Sequence, residues 1–203
     1  MQEKISAVGK KIVRAGLVEA NFGNISARSS SGNSFLITKT KTALDEIGLN
    51  DVVEVPVWNG EADTWMSPAE AEAIEKTASS ETPVHRKIYQ ETDVKAILHA
   101  HCPYSVVMSL LEYEAGNKTI IPVDSEGKLF LKEIPIICGD IGSEELAKNA
   151  AEAFRDGKTK GVVILGHGTI AAGSTLEEAY NITAQLEHSA KIKYMYAKAK
   201  NLF

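Results

Sequence analysis

Apolar residues recur at helical spacing near the start of the chain, at Ile5, Val8, Ile12, Val13 and Leu17, and predict an amphipathic helix over 3–19. Short β-compatible runs follow. Phe22 to Arg28 reads as a Gly-Asn turn leading into a strand, Ser29 to Ser34 as a polar hairpin turn, and 35–38 as the returning strand. A further strand is expected at 52–57 and a turn at Asn59-Gly60. Ser67-Pro68-Ala69-Glu70 carries a capping serine, proline at the first helical position and glutamate at the third, which predicts a short helix over 68–77. A helix opening around Ser79 to Pro83 and continuing to Gln90 leads to the buried-type strand Ala96 to His101.

Beyond that strand, Pro103 starts a helix reaching Leu111, and 118–124 and 134–137 read as strands. Ser143-Glu144-Glu145 opens a helix to about Phe154, with acids where the helix dipole favours them. Strands at 161–165 and 169–173 precede a long helix, about 176–199, opened by the capping box Ser174 to Glu177. Short strands with helices before and between them predict one α/β layered domain over 1–203, with a mainly antiparallel or mixed sheet under helices.

Composition narrows the function. A chain of 203 residues with a net charge of −5 has no bulk field for nucleic acid, so an anionic ligand would need local donors. There is no apolar run long enough to cross a membrane, and the N-terminus reads as an amphipathic helix rather than a signal peptide. The two cysteines, Cys102 and Cys138, form no framework, so a reducing cytoplasmic location is expected and Cys102 reads as a small buried hydrophobe.

Candidate chemistry centres on His99 and His101. Two residues apart on a strand, they project to the same face, an arrangement suited to a divalent cation. His167, in Gly166-His167-Gly168 after another strand, is a third imidazole; three neutral imidazoles leave a zinc coordination position open to substrate. Ser79 and Ser80 either cap a helix or, with its free amides, receive a phosphate. Asn24 and the run Thr38 to Lys41 are further polar groups at element ends. Glu81 is expected in the first helical turn, kept ionised by the dipole, either as a solvent-facing cap or as a base or ligand beside a metal. His85, one turn on, reads as a supporting or packing residue and His188 as structural.

Together Gly23 to Ser26, Ser79-Ser80-Glu81, His99-Ala100-His101 and Gly166-His167-Gly168 resemble, in order and spacing, the class II aldolase/adducin family over nearly the whole chain. The resemblance implies a three-layer α/β/α sandwich with a largely antiparallel central sheet, and a homotetramer with active sites at subunit interfaces. It implies Zn2+, or another divalent transition metal, on His99, His101 and His167. Glu81 would be a resting ligand and the catalytic carboxylate, with Asn24, Thr40, Lys41, Ser79 and Ser80 at the phosphate. The implied activity is reversible cleavage of a ketose 1-phosphate, L-fuculose 1-phosphate-like, to dihydroxyacetone phosphate and an aldehyde such as L-lactaldehyde. The alternatives within the family are a methylthioribulose-1-phosphate type dehydratase, an epimerase or decarboxylase, and an adducin-like binding module.

Three departures bear on the expectation. The phosphate loop has Lys41 where the family usually has glycine. The 121–127 segment, in the region where the bacterial aldolases carry an acid tyrosine contributed by a neighbouring subunit, has Asp124 and Glu126 instead. The chain ends at Phe203, short of the tail that carries a further tyrosine in those aldolases, and Tyr194 and Tyr196 read as packing or interface residues. The proton donor is therefore open between Asp124, Glu126 and a neighbouring subunit's tyrosine.

Overall fold

Eight strands form a sheet in the order β3-β2-β1-β4-β8-β7-β6-β5. The computed structural model describes residues 1–57 and 67–200, so the turn expected at Asn59-Gly60 lies outside the described residues. Strands β1 (Gly23–Arg28), β2 (Ser34–Thr38), β3 (Val52–Pro56), β4 (Ala96–Ala100), β5 (Thr119–Ile120), β6 (Ile134–Ile137), β7 (Gly161–Ile164) and β8 (Gly168–Gly173) pair antiparallel except for the parallel β6–β7 neighbours. This is the α/β fold with a mostly antiparallel sheet that the sequence predicts.

The central strands β4, β7 and β8 are buried along their whole length, which accounts for their mostly apolar sequences, interrupted by His99 and Thr169. On one face, α3 (Thr82–Glu91) and α6 (Glu144–Phe154) pack over Ile37, Ile97, Val162 and Ile170. On the other, α1 (Gln2–Arg14) and α7 (Leu176–Lys200) cover Ile25, Ala27, Leu98 and Ala100, and α4 (Pro103–Glu114) packs beside α7. Among the described residues no helix is long and apolar enough to cross a membrane.

Helix α2 (Pro68–Thr77) has the expected capping box, with Ser67 Oγ accepting from the Glu70 amide and the Glu70 carboxylate accepting from the Ser67 amide. Several sequence expectations are corrected. Helix α1 stops at Arg14, and Gly16 with φ +68 turns the chain away before Leu17 and Val18 enter the core. The strand expected over 118–124 is only Thr119–Ile120. Asp124 instead caps an unexpected short helix, α5 (Ser125–Phe130), by accepting from the Gly127 amide. The box opening α7 is shifted by one residue: Thr175 Oγ1 accepts from the Glu178 amide, the Glu178 carboxylate accepts from the Ser174 amide, and Glu177 pairs with Lys11.

Candidate metal centre

The motifs scattered from residue 24 to residue 167 meet because antiparallel strands alternate direction. The start of β1, the ends of β2 and β4 and the start of β8 lie at one end of the sheet. Asn24 stands directly opposite His99 in the β1–β4 register, and opposed residues share a face. The 38–41 loop is stitched to the approach of α3 by the Lys39–Ala78 bridge, Thr40 N–H to the Thr77 carbonyl at 3.1 Å and Ser79 N–H to the Thr38 carbonyl at 3.2 Å. Thr38 thus lies next to Ser79, while Thr40 lies next to Thr77, away from the serine.

The three histidines converge. Their candidate ligand atoms lie within 4.8 Å of one another, and the Nε2 atoms of His99 and His101 are 3.1 Å apart. His99 is almost fully buried, and its Nδ1 lies 2.9 Å from the Thr169 carbonyl. A carbonyl only accepts, so Nδ1 carries the proton and Nε2 presents its lone pair to the other two rings. His101 just follows β4; its amide donates to the Phe22 carbonyl at 3.1 Å, and its ring stacks on Phe22 at 5.7 Å between centroids. His167 sits in a turn closed by its own amide to the Ile164 carbonyl. Gly166, at φ +66, adopts the left-handed conformation that turn requires, and its amide donates to Ser109 Oγ. His167 Nδ1 is buried without a protein partner.

Burial, reinforced by the neighbouring rings, holds His99 well below the usual histidine range; it lowers His101 and takes His167 down to about 4. The three rings are therefore neutral at pH 7, the form that ligates a cation. Neutral imidazoles with a bare Nε2 and orphaned nitrogen atoms fit a divalent transition metal.

Glu81 departs from expectation. It occupies the N-cap position before α3 rather than the first turn, makes no cap hydrogen bond with its side chain, and is 3% exposed. Desolvation outweighs any dipole effect: burial raises its pKa to about 7, against the opposing pull of the Gly142 amide, which donates to Oε1 at 3.1 Å. Oε2 has no partner. Ser79 is buried, and its Oγ accepts from the Glu81 amide at 3.3 Å, whereas Ser80 is exposed and caps nothing. Asn24 is buried with an unpartnered Oδ1. Lys41 is exposed and holds φ +63, a conformation that favours the glycine usual in the family at this position.

Other candidates lie differently. Asp124 Oδ2 accepts from the Gly127 amide and from Gln185 Nε2 at 3.2 Å, and its Oδ1 is buried without a partner. Glu126 and His188 are exposed, Tyr196 is exposed, Tyr194 packs on Tyr104, and Cys102 is buried. Sequence reasoning missed three groups around the site: the Gly142 amide, the Thr169 carbonyl and Glu187. Only Gly142 left a signal, the Gly139-to-Gly142 turn before a capping serine.

A profile of the Class II Aldolase and Adducin N-terminal domain matches residues 3–194. The chain belongs to that family. L-fuculose-1-phosphate aldolase from Thermus thermophilus superposes with a TM-score of 0.81 at 30% identity, covering 98% of this chain and 95% of that one. The 5-deoxy-D-ribulose 1-phosphate aldolase of Bacillus thuringiensis serovar kurstaki is 27% identical, spanning 95% of this chain and 84% of the relative. The 3-oxo-tetronate 4-phosphate decarboxylase of Escherichia coli O6:H1 is 24% identical over 96% of this chain and 86% of its own length. The relatives are enzymes on small sugar phosphates, and they differ in the bond they break.

Proposed function

We propose that this protein is a zinc-dependent aldolase that cleaves an L-fuculose 1-phosphate-like ketose 1-phosphate to dihydroxyacetone phosphate and an aldehyde such as L-lactaldehyde. The observation that carries the reading is the bare Nε2 of His99, fixed by Thr169, facing two further neutral imidazoles. His99, His101 and His167 would hold the cation, and Glu81 would join them in the resting site. A cation held there would supply Lewis-acid chemistry at the substrate carbonyl. Glu81, poised near neutrality by burial, releases and collects the proton at the carbon next to that carbonyl. Asn24, Thr40, Lys41, Ser79 and Ser80 bind the phosphate, through hydroxyls, amides and one lysine in a protein without a net positive field.

A homotetramer with interface active sites belongs to the same reading. It is supported by the exposed Val107, Leu110, Leu111 and Tyr113 of α4, the helix that leads away from His101. The tyrosine or carboxylate that takes the hydroxyl proton as the aldehyde leaves would come from a neighbouring subunit. Asp124 caps α5 through one carboxylate oxygen only, and its other oxygen is buried without a partner, so the dehydratase stays as the second reading.

The test is incubation of zinc-loaded protein with L-fuculose 1-phosphate, following dihydroxyacetone phosphate with and without chelator. Chelator-sensitive release supports the proposal. Formation of a single diketone phosphate from methylthioribulose 1-phosphate, or decarboxylation of a 3-oxo acid phosphate with no aldol cleavage, would replace it.

A further inference from the structure

Behind Glu81 lies a second set of buried polar groups. Ser26 Oγ is 2.6 Å from His85 Nδ1 and 2.8 Å from the Tyr89 hydroxyl. His85 and Tyr89 are fully shielded on the buried face of α3, and burial keeps the imidazole neutral. His85 Nε2 has no partner, and neither has Glu81 Oε2. The His85 amide donates to the Glu81 carbonyl at 3.1 Å, so the N-cap residue and His85 stand one turn apart. Residues four apart on a helix have Cβ atoms about 5–6 Å apart, within reach of a glutamate side chain.

Proton counting orients the chain of contacts. If Tyr89 donates to Ser26 and Ser26 donates to His85 Nδ1, both hydroxyl protons are used and the imidazole proton sits on Nε2. With Nδ1 as donor, a proton on buried Tyr89 or Ser26 is left without an acceptor. The first arrangement sets an unpartnered donor one turn from an unpartnered carboxylate oxygen.

We propose that His85 is a positioning residue whose Nε2–H receives the Glu81 carboxylate once the Glu81 side chain rotates towards it on leaving the metal, aiming it at the reacting carbon; the two free atoms are not bonded as they stand. The inference rests on the proton-transfer role given to Glu81 above. Gly142 would hold Oε1 and His85 would take Oε2, so the carboxylate swings between two fixed donors rather than moving freely.

Histidine nitrogen NMR on the metal-free, full-length protein tests this without turnover. His85 should be protonated at Nε2, and Glu81→Ala should shift that nitrogen's signal. Protonation at Nδ1, or a signal that Glu81→Ala leaves unmoved, overturns the proposal. In zinc-loaded protein, His85→Phe should slow solvent hydrogen exchange at the hydroxymethyl carbon of dihydroxyacetone phosphate about 10- to 100-fold, the value of one hydrogen bond to a charged group, with KM and metal content retained. His85→Gln, which keeps an N–H, should recover part of the rate. Wild-type exchange in a metal-replete His85→Phe protein also overturns it. If the wild type itself shows no exchange, the aldolase reading fails, and the NMR result still decides the pairing. Ser26→Ala is the second variant should His85→Phe not fold; it should shift the His85 proton population away from Nε2, and an unchanged tautomer counts against the proposal.

Discussion

Glu187 offers a direct way to couple the fold to the metal centre. Helix α4 begins two residues after His101, and its N-cap residue, Cys102, supplies no side-chain acceptor. The acceptor comes from α7 instead. The Glu187 carboxylate accepts from Tyr104 N–H, Ser105 N–H and Ser105 Oγ, each at 2.8 Å, and both Glu187 and Ser105 are buried. Glu187→Ala removes a helix cap, a loss of about 0.5–2 kcal/mol. It also leaves a buried hydroxyl unsatisfied, a further 1–3 kcal/mol or so. These effects overlap, so about 2–4 kcal/mol is expected, or about 5–15 °C in Tm for a chain of this size. Glu187→Gln keeps one acceptor oxygen and should lose about half as much. Urea unfolding of the metal-free protein by circular dichroism measures the change. Calorimetric titration with zinc should then show weaker binding in the alanine variant, because the end of β4 that carries His101 is no longer anchored through α4. An alanine variant within about 0.5 kcal/mol of wild type would refute the reasoning, since it would mean that the first turn of α4 finds water or another cap at no cost.

Three further outcomes are expected. Gly142 has φ +68, and a Cβ there would lie 2.4 Å from the Ser80 carbonyl, so Gly142→Ala should destabilise by about 2–4 kcal/mol, combining left-handed strain with a displaced Glu81 partner, and reduce turnover at least about tenfold with the triad's metal retained; unchanged melting and kinetics would contradict this. Lys41→Gly should relieve left-handed strain, leaving stability unchanged or up to about 1 kcal/mol higher, while raising KM for a phosphorylated substrate about threefold by removing an exposed cation; a lower KM would remove Lys41 from phosphate binding. His85 is buried neutral, with its pKa lowered by desolvation from the ordinary 6.5 to about 3, so the unfolded chain binds its proton first and the folded state loses about 1.4 kcal/mol per pH unit from this group as pH falls from 6.5 towards 3. His85→Phe should flatten the acid limb of a stability-versus-pH curve by that slope, and an unaltered slope would show that His85 is already protonated in the fold.

Most strands and helices were legible because their patterns are local. Ile5, Val8 and Ile12 keep helical spacing, and 96–98 and 161–164 are continuous apolar runs. The metal candidates were legible for the same reason, since the alternation of a strand puts His99 and His101 on one side whatever surrounds them. The errors came from long-range partners. Val123 and Asp124 look strand-compatible until Gln185 and Ser189 of α7 draw the segment into a capped helical turn. Glu81 looks like a solvated first-turn acid until the fold buries it and the Gly142 amide takes one of its oxygens. Glu187 and Thr169 carry no motif, because their roles depend on residues some 70 to 80 positions away.

The site divides into a fixed half and a movable half. His99 is pinned through Nδ1 to the backbone of β8, and His101 is held by the Phe22 carbonyl and the ring above it, on strands that pair along their length. These atoms cannot follow a substrate without breaking the sheet. Glu81 sits instead at a helix start, where its side chain makes no cap, receives one amide hydrogen bond and leaves one oxygen free. A ligand that must leave the metal when substrate arrives, and then carry a proton, has to be held this loosely. It also has to be desolvated enough that gaining and losing a proton near neutrality are of similar cost, which its raised pKa supplies. The proposed roles therefore follow the mechanics of the elements: strand ends for the groups that must stay, and a helix cap position for the one that must move.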